Sequence, residues 1–132
     1  MIPLRMQFDA QPYSTEYNIK WTPTLVTLDP DGKEHHRTTG FLAPEEVVPS
    51  LMLGIAKSHF DLEQFTEAIA TIEALLKDYP KSDSAPEAIY IKGVSQYKST
   101  NDPKPLKAAY EQLKTEHPSN EWTKRAYPYS LL

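Results

Sequence analysis

The sequence predicts an α+β fold that is mostly α: a short β-α-β-β-α piece over residues 1–50, then antiparallel helical hairpins over residues 51–132. Three observations predict it. Phe65 to Pro80 reads FTEAIATIEALLKDYP, and Phe65, Ala68, Ile69, Ile72, Leu75, Leu76 and Tyr79 recur there at helical spacing on one face. The pattern of Met52–Pro80 returns in Ile89–Pro118, with Met52, Ala56 and Phe60 matching Ile89, Gly93 and Tyr97 at a period of 37. Upstream, Thr24–Leu28 (TLVTL) is a β-branched run followed by the turn signal Asp29-Pro30-Asp31-Gly32.

In chain order, Pro3–Phe8 alternates weakly and is expected as a strand, and Gln11–Tyr17 has room for one or two helical turns. Thr24–Leu28 is the better strand. Lys33–Gly40 (KEHHRTTG) returns antiparallel as an edge strand with a wet face. Pro44-Glu45-Glu46 starts a helix, with proline early and acids in the first turn, and Val47, Val48, Leu51 and Ile55 are its expected apolar stripe. Pro80 stops the next helix, because proline lacks an N–H and disfavours helix in the residue before it. Ser84-Ala85-Pro86-Glu87 reads as a capping box, and Asp102-Pro103 opens another helix. Trp122, Ala126 and Tyr127 are expected to close the open end of the stack.

Composition excludes several function classes. The net charge is −4 with no basic block, so no nucleic-acid partner is expected. There is no cysteine, which removes disulfides, thiolate metal sites and cysteine nucleophiles. No apolar run approaches the roughly 20 residues that span a bilayer. MIPLRMQFDA lacks the apolar core of a signal peptide. The expected compartment is the cytoplasm, or the periplasm if an upstream signal is missing.

Tyr17–Thr24 (YNIKWTPT) followed by LVTLDPDGKEHHRTTGFLAPEEVV resembles the C-terminal half of a thioredoxin-like domain. The resemblance implies a cis peptide bond before Pro23, a hairpin, an edge strand and a final helix. It also implies an earlier Cys-x-x-Cys half that this sequence does not contain, and thiol–disulfide exchange requires a thiolate. In the full sheet of that family, another strand separates those matching Pro3–Phe8 and Thr24–Leu28. Either these two close up, or another chain completes the sheet, which would make a homodimer through the incomplete sheet.

The recurring helical unit resembles the tetratricopeptide repeat, in which small residues stand where helices touch. Ala56 and Gly93 are the small residues, Phe60 and Tyr97 the large ones that follow, and Ala68 fits the second-helix position that Leu106 departs from. YPKSDSAPEAIYIKG and HPSNEWTKRAYPYS look like the variety found in bacterial envelope and assembly proteins. The whole order resembles a fused bacterial family, here without its N-terminal third.

Catalysis is not expected. His35 and His36 are adjacent on a strand and point to opposite faces, so they read as a wet edge rather than a metal site. No G-x-S-x-G and no glycine-rich phosphate loop occur, and no cofactor or metal is implied. The expected function is a non-enzymatic protein–protein interaction or scaffold module. By position in the repeat family, its peptide groove would be lined by Leu53, Lys57, Phe60, Tyr90, Val94, Tyr97 and Lys98, suiting an apolar-acidic or extended segment. The bland reading is that the preceding α/β piece fills this groove. The alternative function is a fragment of a thioredoxin-like redox protein whose Cys-x-x-Cys part lies upstream.

Overall fold

The computed structural model describes residues 1–7 and 9–132. The chain is α+β and mostly α. Its elements are α1 (Tyr13–Glu16), β1 (Thr24–Leu28), β2 (Glu34–Thr39), α2 (Pro44–Asp61), α3 (Phe65–Asp78), α4 (Ala85–Thr100), α5 (Lys104–Glu116) and α6 (Glu121–Ala126), closed by a 3-10 turn over Tyr127–Leu131. The peptide bonds Gln11–Pro12 and Thr22–Pro23 are cis.

The strand expected over Pro3–Phe8 does not form: residues 3–7 have no regular structure, and Phe8 lies outside the described residues. Ile2 and Leu4 stand 88% and 79% exposed, so this segment contributes nothing to a core. The two segments therefore do not close up. Among the described residues the sheet has two antiparallel strands, β1 and β2. A short strand gains its ladder only from a neighbour, and none of the described residues adds a strand at the far edge of β1. The turn between the strands is held by the Asp29 carboxylate, which accepts from the backbone N–H of Asp31 and Lys33 at 2.9 Å each. Gly32 takes φ 82° in that turn, where a side chain would be strained.

Helices α2 to α5 stack as two antiparallel hairpins. Leu53, Ala56, Ile72, Leu75 and Ala88 form one buried cluster, with Met52, Leu76 and Ile91 packed against it. Ile89, Ala109, Tyr110, Leu113 and Ala126 form a second, and Leu76 touches both. Small residues set the helix spacing. A Cβ on Gly93 would lie 2.6 Å from the Ala109 Cβ and 3.1 Å from the Pro105 carbonyl oxygen, so α4 and α5 approach at a point only glycine fits. The second hairpin thus uses Ala109, one turn beyond Leu106, as its small contact. Helix α6 closes the stack, with Asn120 Oδ1 accepting from the Trp122 N–H at 2.9 Å.

Helix α2 buries a different face from the one expected. Leu53, Ala56 and Pro49 are in the core, whereas Val48 is 47% exposed and Val47, Leu51 and Ile55 are half-buried. At about 100° per residue, the expected stripe lies on the far side of the helix from Leu53. The capping box also fails to form: the Ser84 side chain makes no cap bond. Glu46 reaches over from α2 instead, accepting from Ser82 Oγ at 2.6 Å and the Asp83 N–H at 3.2 Å, while Glu87 turns to Lys57.

Glycine 54 carries the contact between sheet and helices: an added Cβ would lie 2.4 Å from Thr27 Oγ1 and 3.3 Å from the His36 Cβ. Gly54→Ala is expected to lower unfolding free energy by about 1–3 kcal/mol, despite alanine's better helix propensity of up to about 1 kcal/mol. Urea denaturation checks this, and an unchanged or higher midpoint would show that the sheet yields freely.

Candidate functional site

The residues expected in one groove are divided by the structure among three environments. Leu53 is 2% exposed and belongs to the core, because it faces Ile72 and Leu75 rather than solvent. Tyr90 is covered by the C-terminal elements. Its ring lies 5.1 Å from Trp122 and 5.9 Å from Tyr129, and its hydroxyl is 3.1 Å from that of Tyr129. Burial, with the Tyr90 hydroxyl, pushes the Tyr129 phenol up to about 12. Lys57 is half-buried and pairs with Glu87 at 2.9 Å. Phe60 packs edge-on against Phe65 at 5.7 Å, half-buried. Val94 is half-buried, Lys98 exposed and Tyr97 38% exposed. Solvent therefore reaches the end of this face, at Phe60, Val94, Tyr97 and Lys98. The cis bond lies before the exposed Pro23, apart from this end.

The β-hairpin takes the rest. Ser50, Gly54, Lys57 and Asp61 recur one turn apart along α2, and each meets the sheet. Ser50 Oγ lies 3.0 Å from Thr38 Oγ1 and 3.4 Å from His36 Nε2. Lys57 Nζ lies 3.4 Å from His36 Nδ1. Asp61 Oδ2 lies 2.6 Å from His35 Nδ1. This row of small and polar residues escaped a search for apolar periodicity. Its spacing of four, three and four is helical all the same, and would have been visible to a search for small-polar stripes.

The two histidines correct the expectation of a wet edge strand. His35 is 7% exposed, and His36 is half-buried. Their rings do not go to opposite sides of the sheet, because Thr27 pairs with His36 but Leu28 pairs with Glu34. His35 is the extra residue of a β-bulge, which re-aims its side chain so that both rings reach α2.

Their surroundings shift the two rings in opposite directions. His35 Nε2 lies 2.8 Å from Asp29 Oδ2, so each ring nitrogen meets a carboxylate. A carboxylate only accepts, and both imidazole nitrogens donate only in the cation. Burial pulls the His35 pKa down, but hydrogen bonds to Asp29 and Asp61 outweigh it and raise it above the ordinary 6.5. The His35 hydrogen bond holds Asp29 below its ordinary value, helped by the Lys33 backbone. His36 is pushed down, by burial first and then by Lys57. An ammonium only donates, so His36 Nδ1 accepts from Lys57 and the neutral ring carries its proton on Nε2.

On the sheet's other face, Tyr17, Lys20, Trp21, Thr24, Leu28 and Arg37 help to line a cleft of about 600 Å³. Arg37 is not free in it. Its guanidinium donates to the Tyr17 carbonyl at 2.6 Å and to Glu34. Among the described residues, no group of three or more His, Asp or Glu side chains is placed to hold a metal ion. Among the same residues, no helix is long and apolar enough to cross a membrane.

Comparison with known proteins adds two overlapping matches. A family model described as a thioredoxin-like domain matches residues 5–52, and one described as an outer membrane lipoprotein, YfiO, matches residues 38–130. The overlap, residues 38–52, takes in the end of β2 and the first half of α2, where sheet and helices join. No curated protein and no solved structure matches the chain.

The sorting of the groove residues has an energetic signature. Leu53→Ala should cost about 2–5 kcal/mol as a core truncation, and Tyr97→Ala no more than about 0.5 kcal/mol as a surface change. Comparable losses in parallel urea titrations would place Tyr97 in the core and close the end of the face.

Proposed function

The chain belongs to the outer membrane lipoprotein family (YfiO), and from that premise we propose that it is a non-catalytic interaction module that holds an extended segment of a partner protein. The observation that carries this reading is the solvent-facing end of the stack. Phe60 and Tyr97 occupy equivalent places near the C-terminal ends of α2 and α4, and Val94 and Lys98 flank Tyr97 on α4. Aromatic and aliphatic side chains beside a lysine favour a partner segment that is apolar with an acidic residue. Leu53, Tyr90 and Lys57 support that patch from behind rather than touching the partner.

In this reading the units 1–50 and 51–132 share α2, and the first exists to brace the second. The histidines otherwise suited to catalysis are engaged in that bracing: His35 with Asp29 and Asp61, His36 with Ser50 and Lys57. The family's description favours the periplasm over the cytoplasm. A second copy adding a strand along the free edge of β1 is a further partner of the same reading.

A redox reading is favoured by the thioredoxin-like match over residues 5–52. The chain itself has no cysteine, so its part would be to present a partner to a thiol carried elsewhere. A coding sequence upstream of Met1 that contains Cys-x-x-Cys would favour this second reading.

Site-specific photo-crosslinking in cells tests the interaction patch. A crosslinking residue at position 94, 97 or 98 should give one discrete adduct, and the same residue at the exposed Glu111 of α5 should not. Lys98→Glu should weaken binding of the crosslinked partner about tenfold. Equal labelling at all four positions would remove the patch. For the second copy, light scattering at tens of micromolar should show a dimer, and a monomer would remove that partner.

A further inference from the structure

The contact between the β-hairpin and α2 contains a group whose charge its surroundings require. His35 sits in the bulge of β2, and its two ring nitrogens lie 2.6 Å from Asp61 Oδ2 at the end of α2 and 2.8 Å from Asp29 Oδ2 in the turn. Both partners only accept, so one neutral imidazole cannot satisfy both. Loss of its proton leaves a ring nitrogen lone pair facing a carboxylate oxygen. The Asp29 side chain is 4% exposed and fixed by the turn, whereas that of Asp61 is 42% exposed and at a helix end. The Asp61 contact is the one that can open.

We propose that the Asp29–His35–Asp61 triad is a pH-operated latch that fastens the β-hairpin to α2 when His35 is protonated and releases it when His35 is neutral. The other charged groups on the packed elements do not substitute for it. Lys57 of α2 faces the neighbouring His36 and pairs with Glu87, and Glu34 pairs with Arg37. Strand β1, which packs on the other side of β2, carries no titratable side chain. Release leaves the hairpin held by Thr27 against Gly54 and by the hydroxyl contacts of Ser50, and it uncovers the Asp61 end of the α2 row.

The sign follows from the two raised and lowered groups. His35 is raised above 6.5, so its contribution is fully present below that pH and is lost as pH rises through the folded value. Asp29 is lowered from 3.8, so its contribution is present above that pH and is lost as pH falls through its folded value. The latch is therefore closed in mildly acidic solution and opens as pH rises above 6.5 through the folded value of His35.

Hydrogen exchange read by NMR on the full chain tests this between about pH 5 and about pH 9. The readout is the protection of β1 and β2 amides divided by that of α3 amides, which cancels the intrinsic pH dependence of exchange. The ratio should fall about tenfold or more across the titration of the His35 ring, whose two nitrogens should both be protonated below the midpoint. Asp61→Asn, at a half-exposed position that should tolerate the change, should move that midpoint to lower pH. His35→Gln should abolish the step and leave the ratio at its low, alkaline level. A ratio that stays constant, a midpoint that tracks His36, or a His35 ring titrating at or below the ordinary value overturns the latch.

Discussion

Helix α2 is buried on two adjacent faces at once, and the rest of the molecule follows from that. One face carries Pro49, Leu53 and Ala56 into the helical core. The next carries Ser50, Gly54, Lys57 and Asp61 against the sheet. A two-stranded sheet has too little apolar surface to be stable alone in water. It persists here because α2 offers a close approach at Gly54 and hydrogen-bonding groups on either side of it. Helices α3 and α4 in turn hold α2, so the core of the helical stack is the foundation of the hairpin as well.

The interface between sheet and helix is more polar than the buried clusters where helices meet in this chain. Helix pairs meet through Ala56, Ile72, Leu75 and Ala88, or through Gly93 and Ala109, where dispersion and loss of apolar surface do the stabilising. The sheet meets α2 through hydroxyls, imidazoles, an ammonium and carboxylates. Contacts of that kind contribute less net free energy when made, but leaving them unmade is costly. They make the docking specific and sensitive to protonation. His35 and His36, adjacent in sequence, are shifted in opposite directions, because one meets two carboxylates and the other is buried beside a lysine.

The expected groove is shaped by the same arrangement. With two hairpins, the concave face has little length to spare. The hairpin occupies its first-helix portion and Trp122 with Tyr129 covers Tyr90, leaving the end marked by Phe60, Val94, Tyr97 and Lys98. Of the two alternatives that the sequence left open, packing describes Leu53, Lys57 and Tyr90, while solvent reaches the remaining residues.

The helical hairpins were legible because their determinants are local. Spacing of Ala68, Ile72 and Leu75, the prolines at 80 and 118, and the return of the pattern after 37 residues need no knowledge of distant partners. The absence of cysteine and the strand–turn–strand of Thr24–Thr39 are of the same kind. What sequence periodicity could not decide was which face of α2 is buried, because Val47, Val48, Leu51 and Ile55 form as good a stripe as Leu53 and Ala56. Nor could it decide whether Pro3–Gln7 finds a strand partner, or that a bulge would turn both histidines onto one helix. Each of those outcomes depends on a group far away in the chain, such as Asp61 for His35, Thr27 for Gly54 or Glu46 for Ser82. A pattern along one element records what that element can bury, and only the assembled fold supplies what it is buried against.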